Sequence, residues 1–116
     1  MKKFVVGCAV LFLILGCVTG AMAQGIKVGA LMAFTGPLKE FGPNIKNGAV
    51  LAAKQVTAAG LKVTIVTGDT ETNPVPGTNA AKKLVDIDRV TAIIGALSSG
   101  VTIACAESVT IPKGIL

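Results

Sequence analysis

The chain contains no histidine, tryptophan or tyrosine, and its only aromatic residues are four phenylalanines among 116 residues. Without histidine there is no imidazole to act as general base beside a nucleophilic serine, and no nitrogen ligand for a zinc site. Cysteine is nearly as scarce. Two of the three, Cys8 and Cys17, lie in the first 23 residues, which leaves Cys105 alone and rules out a disulfide within the rest of this chain. Cys105 sits in the run Ile103-Ala104-Cys105-Ala106, which reads as an inward helix face and predicts a buried thiol. Charge of one sign is not concentrated anywhere. Lys27, Lys39, Lys46, Lys54, Lys62, Lys82, Lys83, Arg89 and Lys113 are scattered, with no cluster, no regular interleaving with aromatic residues and no nucleic-acid motif, so they read as solvated helix faces and argue against a nucleic-acid partner.

The motifs of nucleotide and hydrolase chemistry are incomplete as well. Residues 95–102 have the spacing of a phosphate-binding loop, but Val101 stands where the lysine must be. Residues 96–100 approximate a nucleophile elbow with Ala96 in place of the first glycine, and no base accompanies it. No Gly-x-Gly-x-x-Gly follows the first strand, and Asp86 and Asp88 read as solvated charge at a helix end. The sequence therefore predicts neither an enzyme nor a cofactor or metal site.

The amino terminus has the pattern of an export leader. Lys2 and Lys3 precede an apolar stretch over residues 4–18, and Ala21-Met22-Ala23 supplies the small residues a signal peptidase requires, which places the cut before Gln24. The stretch is shorter than the ~20 residues that span a bilayer and is interrupted by Gly7 and Gly16. Ile14-Leu15-Gly16-Cys17 also resembles the lipobox of bacterial lipoproteins, which would anchor the protein through Cys17. Only residues 18–23 would then separate the anchor from Gln24, a short tether for a moving lobe, so soluble release is the favoured reading.

After the leader, strands and helices alternate. Residues 26–32 read as a buried parallel strand. A helix follows over residues 44–59, with Asn44 as N-cap and Gly60 as its stop. A second strand covers 62–67 and a polar loop 69–74. The second helix runs over 76–86 with Pro76 near its first turn, a third strand covers 90–97, and a third helix covers 99–109. Ile115 and Leu116 read as the opening of a fourth strand. The fold class is α/β, a parallel sheet with right-handed crossovers in the flavodoxin-like order 2-1-3. Residues 24–116 would form the amino-terminal part of one lobe of a longer protein.

In such a sheet ligands bind outside the carboxyl ends of the strands, where the strand order reverses. The loops flanking that point are residues 33–43 and 97–101. In Leu97-Ser98-Ser99-Gly100-Val101, two hydroxyls and free N–H groups converge at the positive end of a helix dipole, as a carboxylate or phosphate cradle requires. The same residues also fit a plain N-cap, with Ser98 satisfying its own helix.

Several segments resemble, in register, the type I periplasmic binding proteins of the branched-chain amino acid family. They are Ile26-Lys27-Val28-Gly29, Thr35-Gly36-Pro37, Phe41-Gly42, Asn47-Gly48-Ala49 with Leu51-Ala52, Lys83-Leu84-Val85 and Ile94-Gly95-Ala96-Leu97-Ser98-Ser99-Gly100. The resemblance implies two Rossmann-like lobes that close on an amino acid and deliver it to an ABC permease from the periplasm, as a monomer when complete. It further implies that Ser99, with Ser98 and Gly100, holds the ligand carboxylate and that Phe41 lies beside the ligand. A sensory receptor domain of the same fold, binding an amide or amino acid, is the alternative. The chain departs from the family in a shorter connection at residues 59–62, in Thr70 replacing the second acid after Asp69, and in Ser98 and Thr72 standing where some members pair cysteines.

Overall fold

The computed structural model describes residues 25–116, so the leader, its cleavage site and Cys17 lie outside the described residues. Strand β1 (Ile26–Met32) is the centre of a parallel sheet, with β2 (Val63–Asp69) on one side and β3 (Ala92–Gly95) on the other, in the order β2-β1-β3. The register runs from Ile26 opposite Val63 to Met32 opposite Asp69, and from Val28 opposite Ala92 to Leu31 opposite Gly95. The expected strand order is therefore the observed one.

Between the strands lie helix α1 (Gly42–Ala58), helix α2 (Pro74–Asp86) and helix α3 (Ser99–Cys105). Helix α3 runs on through one wide π turn (Ala106–Thr110) into the short helix α4 (Ile111–Lys113). The π turn precedes Pro112, which has no N–H to donate and whose ring crowds the carbonyl one turn back; widening the helix there relieves the conflict. The third helix thus extends past its expected end at residue 109.

Other boundaries also moved. Helix α1 starts at Gly42 with Pro43 in its first turn and Phe41 as N-cap, so Asn44 lies inside the helix and caps nothing. Helix α2 starts at Pro74, and its cap is Asn73, whose side chain accepts the Val75 N–H; Pro76 is the third helical residue, two positions further in than expected. Strand β3 is shorter than residues 90–97 at both ends. Val90 and Thr91 donate to the carbonyls of Leu84 and Lys27 in the entry turn, and Gly95 ends the strand at φ +126°. Strand β2 starts one residue later and ends two residues later than expected, at Val63 and Asp69. No fourth strand forms among the described residues, although the Leu116 carbonyl accepts the Ile93 N–H at 2.7 Å on the open side of β3.

Helix α2 packs on α3 and on β1 and β2, α3 joins the same core through Val101 and Cys105, and α1 packs on β1 and β2. The core lies on the α2–α3 side and comprises Leu31, Ala81, Leu84, Val90, Val101, Cys105 and Val109. Removing each of the larger of these side chains from water stabilises the lobe by about 1.5–3 kcal/mol. Helix α1 buries little beyond Gly42 and Ala53, and Leu51 and Val56 stay exposed. At the base of the sheet, Lys83 pairs with Asp88 at 2.9 Å and Lys113 with Asp86; solvated pairs of this kind contribute about 0–1 kcal/mol each.

Candidate functional site

Because Leu31 pairs with Gly95, the chain leaves β1 at Ala33 and β3 at Ala96 side by side, at the carboxyl edge of the sheet. This is the point of strand-order reversal, and both candidate loops begin there. Gly95 makes the exit possible. Its φ of +126° suits glycine, and a Cβ at that position would run into the Leu31 carbonyl oxygen.

Ser98 is extended, at φ −99° and ψ 133°, and occupies the N-cap position of α3, but its side chain makes no capping hydrogen bond. The plain N-cap reading is thereby corrected: the hydroxyl is not spent on its own helix. Thr102 does the holding instead, its hydroxyl lying 2.8 Å from the Ala96 carbonyl and 2.9 Å from that of Ser98. The N–H groups of Ser99 and Gly100 have no acceptor among the described residues. Ser99 and Gly100 are exposed, and a Cβ on Gly100 would meet no heavy atom within 4 Å. Two free N–H groups, two serine side chains and the amino end of a helical run reaching residue 113 thus face open space. Such a group favours a carboxylate or phosphate.

Phe41 is 55 % exposed at the far end of the other loop, where it caps α1 through the backbone. Three concavities, of about 410, 430 and 160 Å³, lie along α1 and β2, at the base beside Arg89, and on the open flank of β3, the last sharing Ala96 and Thr102 with the site loop. Among the described residues no cluster of three or more His, Cys, Asp or Glu side chains is placed to hold a metal. Cys105 is buried, and burial pushes its thiol pKa up against the opposing effect of a hydrogen bond with Thr78.

Sequence reasoning overlooked the turn after β2. Asp69 Oδ1 accepts the N–H groups of Phe34 at 2.9 Å, Thr35 at 3.3 Å and Glu71 at 2.9 Å, while Oδ2 accepts the Thr35 hydroxyl at 2.8 Å. Partial burial raises the carboxyl pKa, but the hydrogen bonds from Glu71, Thr35 and Phe34 together outweigh it, so the pKa lies below the ordinary aspartate value. Thr72 Oγ1 accepts the Leu38 N–H at 3.2 Å, and buried Thr70 accepts that of Thr72. An acid at the end of β2, level with the end of β1, was the available signal.

A three-stranded parallel sheet flanked by helices, with an anion-receptive helix start at its switch point, defines the class, an α/β fold of the kind that binds ligands at the carboxyl edge of its sheet. The sequence profile of the periplasmic binding proteins matches residues 25–113, and the chain belongs to that family, in its type I, branched-chain amino acid group. It is 37% identical over 101 residues to Leu/Ile/Val-binding protein homolog 1 of Brucella abortus, a match covering 84% of this chain and 27% of the relative. Among solved structures it is similar to the branched-chain amino acid transporter substrate-binding protein of Streptococcus pneumoniae in complex with isoleucine (TM-score 0.73, 26% identity, 79% of this chain and 27% of that one). It is similar too to an ABC transporter solute-binding protein of Rhodopseudomonas palustris in complex with benzoate (TM-score 0.71, 26% identity, 79% and 26%). The chain thus spans about a quarter of the length of the relatives it matches. These relatives are solute-binding proteins, not enzymes.

Proposed function

We propose that residues 24–116 form the amino-terminal part of one lobe of an extracytoplasmic solute-binding protein, which captures an amino acid, branched-chain or similar, and hands it to an ABC permease in the membrane. The observation that carries this reading is the pair of unengaged N–H groups on Ser99 and Gly100 beside the uncommitted Ser98 hydroxyl. The ligands of the two solved relatives support it. Isoleucine and benzoate share a carboxylate and an apolar body and little else, so a common contact belongs at the carboxylate. Phe41, exposed on the neighbouring loop, is suited to cover the apolar body, and the second lobe supplies the opposing wall and any acid that pairs with an ammonium.

Calorimetry on the full-length protein tests the reading. Ser99→Ala should weaken binding by about 1–3 kcal/mol, the cost of leaving a charged acceptor short of a donor. Unchanged affinity would remove the Ser99 hydroxyl from the site and leave the contact to the backbone N–H groups alone.

A further inference from the structure

The loop of residues 33–41 forms one side of the proposed cleft and does little to hold itself in shape. Its internal backbone bonds run from Lys39 to Gly36 and from Phe41 to Leu38. Three further donors of the loop, the N–H groups of Phe34, Thr35 and Leu38, go to side chains at the end of β2 and in the turn that follows it. That turn is itself unusual. Glu71 and Thr72 are consecutive non-glycine residues in the left-handed region, at φ 51° and 57°, and the Glu71 carbonyl lies so near Gly36 that any side chain there would collide with it.

From this arrangement we infer that Asp69, seconded by Thr72, is a positioning residue for ligand binding: it holds the loop of residues 33–41, and with it Phe41, in its cleft-facing shape without touching the ligand. The inference rests on the binding-protein reading and adds to it a residue outside the cradle. A loop's donors must go to an acceptor or to water. With Asp69 removed, three of the four donors it gathers belong to residues 34 and 35, so the loop would be released at its root, where it leaves β1.

The test is amide hydrogen exchange together with calorimetry on the mature full-length protein, with isoleucine and benzoate as probes. Asp69→Ala should speed exchange at Phe34 and Thr35 by about tenfold or more, leave Leu31 in the middle of the sheet unchanged, and weaken probe binding by about tenfold. Asp69→Asn should restore both to within about threefold, because its carbonyl oxygen can accept the same N–H groups and its amide can donate to the Thr35 hydroxyl. If the alanine variant fails to fold, Thr72→Val removes only the acceptor for Leu38 and should speed exchange at that amide while weakening binding about threefold. Unchanged exchange at Phe34 and Thr35 in Asp69→Ala overturns the inference, as does unchanged affinity with the loop opened, or an asparagine variant no better than alanine. A wild-type protein that binds neither probe counts against the functional reading instead, and the exchange rates still decide whether Asp69 holds the loop.

Discussion

Gly95→Ala should cost this lobe more than its small change in volume suggests. The backbone there has φ +126°, a region that costs a residue with a side chain about 1–3 kcal/mol. The new methyl would also run into the Leu31 carbonyl oxygen on the paired strand, and the contact can be relieved only by parting the last rung between β1 and β3. Losing that rung's hydrogen bonding adds about 1 kcal/mol, with some lost packing of Leu31 besides. A destabilisation of about 2–4 kcal/mol follows from these two effects, a large share of the 5–15 kcal/mol that typically holds a domain together. Urea unfolding of the full-length protein, followed by circular dichroism, reads it directly. Gly100→Ala is the matched control: its methyl meets nothing within 4 Å and lies in a helix, so stability should hold or rise by up to about 1 kcal/mol. Binding should nevertheless weaken, because that methyl stands where the ligand carboxylate would sit. A Gly95→Ala protein within about 1 kcal/mol of wild type would refute the reasoning.

Asp69 makes an acid-side prediction. Its pKa is lower in the folded protein than in the unfolded chain, so its contribution is complete above the unfolded value, near ~4, and is lost as pH falls through the folded value. Unfolding free energy measured from pH 6 down to pH 2 should therefore fall less steeply in Asp69→Asn than in wild type, and parallel curves would contradict this. At the amino terminus, intact-mass analysis of the exported protein should find a chain starting at Gln24; a diacylated Cys17 would select the lipoprotein reading instead.

The alternation of apolar segments made the sheet and its order readable, because β1 is bounded by Gly25 and the Phe34-Thr35-Gly36 turn and is apolar apart from Lys27 near its start. Helix starts were less legible. Pro43 and Pro74 both lie in first turns, yet Asn44 and Pro76 looked equally suitable, and only the loop geometry shows that Phe41 and Asn73 are the caps. Strand β3 reads long because Val90 and Leu97 are apolar, but Val90 belongs to the core beneath the entry turn and Gly95 turns the chain out of the sheet. In the site, Ser98, Ser99 and Gly100 could be placed from the helix-start pattern. Thr102 was masked by the serines before it, although the carbonyls of residues 96 and 98 are local to it, and for Asp69 the sequence offers only an acid at the end of β2, because the amides of residues 34 and 35 reach it only in the fold.

The central claim, that a carboxylate seats on the free amides at the start of α3, is tested most directly by thermal shift of the full-length protein with matched pairs: isoleucine against isoleucinamide, benzoate against benzamide. An acid that binds should raise Tm in a concentration-dependent way, reaching about 2.7 kcal/mol of stabilisation at a hundred times its Kd, while its amide shifts Tm little. Equal shifts for acid and amide, or no shift with any carboxylate-bearing solute, would contradict the account.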